Sequence, residues 1–241
     1  RHGNVFTMIP IVGWSGRGFS SGLVGLLNQG RTLVTTSAGS TIRLWDTESW
    51  QPRDLPKSGE GGPSPRFQMT PMIFSPDERF LVAPGRDGTI DFRNLLTGQT
   101  ERTFPAQNRW VSGLAFAPGG DLLATSSVEG TVSLWDLPSG VIVDVLRGHL
   151  LGVHAVAFSP DGQRIASGSH GQEAVKLWDV VTRQEVVTLS GQGSMFGTVK
   201  FSPGGKLLVA LNRQGLAHIW RAPTLAEIEA AENTPATTAP Y

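Results

Sequence analysis

Three imidazoles, His149, His154 and His170, fall within one stretch of the chain. Such groups act as general bases or as metal ligands. A metal site needs further His or carboxylate ligands at fixed spacing. No pair among the three stands at ligand spacing within a rigid turn, so no metal ligand is expected. "GWSGRG" (Gly13–Gly18) sets a serine between glycines, but the second glycine falls in the wrong place for a nucleophile elbow and no strand-to-helix turn surrounds it. "GRGFSSG" is glycine-rich, yet neither a lysine nor a helix follows, so it is not a phosphate loop. The acidic residues sit mainly in turns, where carboxylates cap backbone N–H groups. The sequence therefore points to no catalytic residue and no cofactor.

The elements around these residues repeat. Trp45, Trp135, Trp178 and Trp220 each end an apolar run, as in "TIRLWD", "TVSLWD" and "AVKLWD". "GTIDFRNLLTG" fills the one long gap, with Phe92 at the matching place, and the steps become 47, 43, 43 and 42 residues. A second marker keeps the same register: "FSPDE" (74–78), "FAPGG" (116–120), "FSPDG" (158–162) and "FSPGG" (201–205), with "LLNQG" (26–30) as a degenerate first copy. Pro and Gly between alternating apolar runs signal tight turns between antiparallel strands. A further turn, "RDG", "VEG" or "RQG", precedes the third strand in units two, three and five. Each unit thus reads as three strands, the third ending at the Trp position, then a less regular fourth. "VIVDVL" (141–146) and "EVVTL" (185–189) are the clearest fourth strands.

On these residues the chain resembles the WD-repeat family of β-propellers. The likeness rests on Leu44-Trp45-Asp46, Leu134-Trp135-Asp136, Leu177-Trp178-Asp179, the turn at 158–162 and Gly148-His149, and it covers roughly residues 5–221. Kelch repeats have a longer period of about 50 residues and paired glycines that are absent here. The resemblance implies an all-β propeller of four-stranded antiparallel blades. It also gives structural roles to Trp45, Trp135, Trp178, Trp220, His149 and Ser167. In the family the indole N–H bonds a Ser or Thr on the second strand, and a His and an Asp complete the chain of hydrogen bonds. In the fourth unit the members are His149, Ser167 and Trp178, while "SHGQEAVKLWD" carries one extra residue and no Asp at the expected place.

The units span about 13–50, 65–104, 108–146, 149–189 and 192–222. Residues 49–68 read as a Pro/Gly-rich surface loop. Residues 223–232 are helix-like, with Thr224 and Glu227 at capping-box spacing, and 233–241 read as a disordered tail. Two expectations follow. The chain is a five-bladed ring closed by a strand from residues 4–12, or it is the C-terminal part of a larger propeller. Arg1 at the start and an end resembling WD-repeat regions of large bacterial proteins, some fused to kinases, point to the second.

The 20 basic and 20 acidic residues balance, so no electrostatic footprint for nucleic acid is visible. No apolar run approaches the length of a membrane span. The absence of cysteine rules out disulfides and thiolate metal sites and leaves the compartment open, with the cytoplasm as the default. Loops joining one blade's fourth strand to the next blade's first collect on one rim, where the family commonly binds partners. Alignment gathers there Trp14, Arg17, Phe19, Arg66, Phe67, Arg109, Trp110, Leu150, Leu151 and Met195. Aromatic, Arg and Met residues are enriched at protein interfaces. The expected function is a non-catalytic interaction or scaffold module for a protein or peptide partner. The alternative is an accessory or sensor domain of a larger bacterial signalling protein. A propeller hydrolase would need convergent carboxylates or His ligands that the sequence does not show.

Overall fold

The computed structural model describes residues 11–13, 20–22, 24–36, 42–55, 71–85, 88–105 and 110–222. Strands β1 (Ile11–Gly13) and β2 (Ser20–Gly22) form a two-stranded antiparallel pair. Five antiparallel sheets of three or four strands follow. Blade one contains β3 (Val24–Leu27), β4 (Thr32–Thr36), β5 (Ile42–Asp46) and β6 (Pro52–Asp54). Blade two contains β7 (Ile73–Phe74), β8 (Phe80–Pro84), β9 (Ile90–Asn94) and β10 (Thr100–Phe104). Blade three contains β11 (Val111–Phe116), β12 (Leu122–Ser127), β13 (Thr131–Asp136) and β14 (Val141–Arg147). Blade four contains β15 (Ala155–Phe158), β16 (Arg164–Gly168), β17 (Val175–Asp179) and β18 (Glu185–Leu189). Blade five contains β19 (Phe196–Phe201), β20 (Leu207–Asn212) and β21 (Ala217–Arg221). No α-helix occurs among the described residues.

Alternation along the strands gives every blade two apolar faces. These meet pairwise in four clusters. Leu44 and Val34 pack with Leu81 and Leu95 between blades one and two. Phe92 and Phe104 pack with Leu123 and Trp135 between blades two and three. Leu134 and Val132 pack with Ile165 and Trp178 between blades three and four. Ala166 and Val175 pack with Phe196 and Leu208 between blades four and five. Trp135, Trp178 and Trp220 therefore face the preceding blade, and Leu44, Leu134 and Leu177, each one residue before a Trp, face the next. Ile219 occupies that second position in blade five and is 64% exposed.

The turns explain the residues that punctuate the repeat. Ser75, Ser159 and Ser202 each accept, on the side-chain oxygen, the backbone N–H that opens the second strand. Asp46, Asp136 and Asp179 accept N–H groups two or three residues on, forming Asx turns into the fourth strand. Four residues past Asn94 and Asp136 the backbone turns left-handed at glycines, Gly98 (φ 74°) and Gly140 (φ 71°), and four past Asp46 and Asp179 it does so at Trp50 (φ 56°) and Arg183 (φ 64°).

Two expectations are corrected. Phe92 does not occupy the Trp position. Trp135 lies opposite Leu123, one residue into its second strand, and the residue so placed in blade two is Arg93, opposite Leu81. Asn94 then does the work of the Asp, accepting from the Leu96 and Thr97 amides. Phe92 matches Leu134 and faces blade three. The second correction concerns residues 49–68, of which 52–54 form strand β6 rather than loop. An Arg43–Asp54 ion pair and the buried Leu55, 2% exposed, hold this short edge strand. The proposed closing strand falls on residues 4–12. Its first seven lie outside the described residues, and Ile11 and Val12 pair with β2. Residues 223–241 also lie outside the described residues.

At Arg183 the left-handed backbone is imposed on a side chain whose Nη1 is buried without a partner. Arg183→Gly should raise stability by about 1 kcal/mol, read as an increased denaturant midpoint at unchanged slope.

Candidate functional site

The tryptophans bond across strands within their own blades. Trp45 Nε1 donates to Thr35 Oγ1 at 3.0 Å, Trp135 to Thr125 at 3.1 Å, and Trp178 to Ser167 at 2.7 Å. A buried indole N–H needs such an acceptor. The acceptor stands ten residues before the Trp in blades one and three, and eleven before it in blade four. In blades two and five the same position holds Ala83 and Ala210. Trp220, half-buried, stacks on His218 instead, with centroids 5.8 Å apart.

In blade four the chain of bonds continues. Ser167 Oγ lies 2.7 Å from His149 Nε2. Because the serine oxygen accepts from the indole, its own proton can point at His149 Nε2, which leaves the imidazole proton on Nδ1. Nδ1 is buried without a hydrogen-bond partner, as the missing Asp would leave it. Burial first, and the nearby Lys176 ammonium second, push the imidazole down from 6.5 to about 4. His149 is therefore neutral near pH 7. It acts as a hydrogen-bonded strut and not as a poised base.

Glu173 stands in the lengthened turn of this blade. It accepts the Leu150 N–H at 3.2 Å and lies 3.5 Å from Lys176 Nζ. Lys176, nearly buried, also donates to Glu185 at 2.9 Å and Thr188 at 2.7 Å. The carboxylates of the Trp-Asp pairs are likewise engaged. Amide and hydroxyl donors of Ser49 and Thr182 hold Asp46 and Asp179 below the usual carboxylate range, and the Ser139 hydroxyl and amide do so for Asp136. Among the described residues no group of three or more His, Cys, Asp or Glu side chains is placed to hold a metal.

The blade-joining loops are laced to the turns between second and third strands. Val153 N–H donates to Ser127 O at 2.9 Å, and Ser169 Oγ to Gly152 O at 2.8 Å. Gly152 is required by the close approach, since a Cβ there would stand 2.7 Å from Val128 O. In blade five Ser194 and Gln214 exchange bonds at 3.1 and 2.9 Å. This lacing fixes the rim backbone, and it leaves apolar side chains outward: Trp110 (42% exposed), Val128 (44%), Leu150 (85%) and Leu151 (56%).

Of the ten rim residues expected from sequence, Trp14, Arg17, Phe19, Arg66, Phe67 and Arg109 lie outside the described residues. Trp110 O accepts the Val128 N–H at 3.4 Å and the Leu151 carbonyl lies against Gly130, so Trp110 and the loop bearing Leu150 and Leu151 both border the second-to-third-strand turn of blade three. Met195 sits apart, over blade five, with a left-handed backbone (φ 58°) and its sulfur 3.8 Å from an Arg213 nitrogen. Sequence reasoning missed Val128, which reaches this rim from the "VEG" turn. It also missed the His154–His170 pair, whose Nε2 atoms lie 2.6 Å apart. A separate cleft of about 440 Å³ opens at the other end, between blades one and two, where Asp46 and Glu78 offset Arg53 and Arg79.

The family model described as "WD domain, G-beta repeat" matches residues 98–136 and 140–179. The WD repeat-containing protein SL1-17 of Schistosoma mansoni is 34% identical over 157 residues, 65% of this chain and 50% of that protein. Nuclear distribution protein nudF of Aspergillus niger is 32% identical over 204 residues, 83% of this chain and 44% of that protein. A guanine nucleotide-binding protein subunit beta of Zea mays is 28% identical over 126 residues, 49% of this chain and 33% of that protein. The chain spans half or less of the length of these relatives.

Two outcomes follow. Trp135→Ala should cost about 3–5 kcal/mol, the usual penalty for truncating a buried aromatic. Trp45→Ala should cost less, since its ring is only half-buried; equilibrium denaturation compares the two. His149 also makes stability depend on pH. Its folded pKa is depressed, so below 6.5 the unfolded chain binds a proton that the folded chain refuses. Stability should fall between about pH 6.5 and 4, by up to about 3 kcal/mol. His149→Asn should flatten that part of the profile, measured as denaturation free energy against pH.

Proposed function

The chain belongs to the WD-repeat β-propeller family, and from that premise we propose that it is a non-catalytic interaction module docking a protein or peptide partner on its loop rim. One observation carries the reading. Trp110, Val128, Leu150 and Leu151 are exposed apolar side chains on neighbouring backbone that bonds from Ser127, Ser169 and Glu173 already lock. Apolar and aromatic anchors supply most interface energy, and a prefixed backbone lowers the ordering cost of binding. One relative is by its name a subunit, which supports an assembly role. The engagement of the turn carboxylates and of His149 in structural bonds supports a reading without catalysis. The same rim would serve the alternative role, an accessory or sensor domain of a larger bacterial signalling protein.

The test is a paired substitution on the rim against one on the outer edge. Leu150→Asp with Leu151→Asp should abolish capture of a partner identified with the unaltered chain, at an unchanged melting temperature. Val143→Asp with Val186→Asp, on exposed fourth strands, should leave capture intact. The reverse pattern overturns the rim as the docking site.

A further inference from the structure

His154 directly precedes β15, and His170 follows β16 by two residues. The two strands pair with Ala155 opposite Gly168, and the His154 N–H donates to Gly168 O at 2.7 Å. Both side chains thus emerge at the same end of the blade. Their rings stand nearly perpendicular at 77°, with centroids 4.6 Å apart and the two Nε2 atoms 2.6 Å from each other. Both residues are half-buried.

The other imidazoles of the described residues are arranged differently. His149 Nε2 is taken by Ser167, and His218 Nε2 accepts the Gln192 N–H at 2.9 Å. Among the described imidazoles only His154 and His170 set two ring nitrogens against one another, at hydrogen-bond distance and with the tautomers deciding which donates; a metal ion takes the place of the shared proton. A divalent ion with metal–nitrogen bonds of about 2.0–2.1 Å spans neighbouring imidazole nitrogens about 2.9 Å apart in a square plane and about 3.4 Å apart in a tetrahedron. From the observed 2.6 Å, rotation of the half-buried rings must open the pair by about 0.3 Å for a square plane and about 0.8 Å for the tetrahedron that Zn²⁺ prefers. Metal binding also requires neutral imidazoles.

We propose that His154 and His170 form a two-imidazole site for a divalent late transition metal ion such as Zn²⁺ or Ni²⁺ on the rim of blade four. Two protein ligands leave the remaining coordination positions to water or to an incoming donor group. Zn²⁺ and Ni²⁺ both accept imidazole readily. The site stands whether or not the neighbouring apolar side chains dock a partner, because it uses none of them.

The test is a Zn²⁺ titration of the full chain in a His2→Ala background, which removes the one histidine outside the described residues. Imidazole ¹⁵N resonances are followed together with calorimetry. The expected result is one ion per chain, with the His154 and His170 signals moving together and those of His149 and His218 unmoved. His154→Gln and His170→Gln should each lose the binding, and each melt is checked against the parent. His170 sits in a turn, so its variant remains informative if the His154 variant unfolds. Binding retained in either folded variant, movement of only one ring, or no heat in the parent overturns the proposal.

Discussion

The structure depends on one bond repeated with variation: an indole N–H on the third strand of a blade donating to a hydroxyl on the second. The bond lets a large aromatic ring be buried without stranding its polar edge. Once satisfied, the ring becomes the main apolar wedge against the preceding blade. Trp135 packs on Phe104 at 5.8 Å, and Trp178 joins Leu134 and Val132. The bond within a blade thereby makes the cohesion between blades possible. Where the ring changes, its acceptor is gone too. Arg93 faces Leu81 with Ala83 in the acceptor position, and the half-buried Trp220 goes with Ala210. Stability is thus a sum of neighbouring contacts, as in other stacked-repeat architectures.

Much of this was legible because the physics is local. A Trp-Asp pair states two constraints within two residues, a ring to be buried and a carboxylate to close the next turn. The Phe-Ser-Pro marker states a third, since Ser75, Ser159 and Ser202 all serve as acceptors inside their own turns. Blade two misled because it satisfies the constraints with other residues. Asn94 closes the turn as well as an aspartate does, and the conspicuous Phe92 invited alignment one residue too early. Strand β6 was hidden for a similar reason. Proline and charge suggest a loop, yet an ion pair to Arg43 and the buried Leu55 suffice for a short edge strand.

The rim was legible only in part, since its members meet across blades. Trp110, Val128 and Leu151 come from different loops and turns, and their meeting depends on backbone lacing that no spacing rule encodes. His154 and His170 are sixteen residues apart. Their contact follows from the pairing of Ala155 with Gly168, a register readable only once the hairpin's turn is fixed.

The extra residue in the "SHGQEAV" turn ties these observations together. In blades one and three the indole acceptor stands ten residues before the Trp, and in blade four eleven. The added residue is absorbed in the turn, because strands β16 and β17 keep an unbroken register. A longer turn reaches further over the rim. It carries Glu173 to the Leu150 amide and the Lys176 ammonium, leaves His149 Nδ1 without the acceptor an Asp would give, and brings His170 against His154. The sheet beneath is unaffected, because its core contacts and its Trp178–Ser167 bond lie below the turn. A change of one residue can therefore remodel the exposed surface while the blade keeps its place among its neighbours. At blade four's rim the break gathers Glu173, Lys176, His149, His154 and His170 beside exposed Leu150 and Leu151, so there the chain's chemistry departs from the repeat while the sheet below keeps to it.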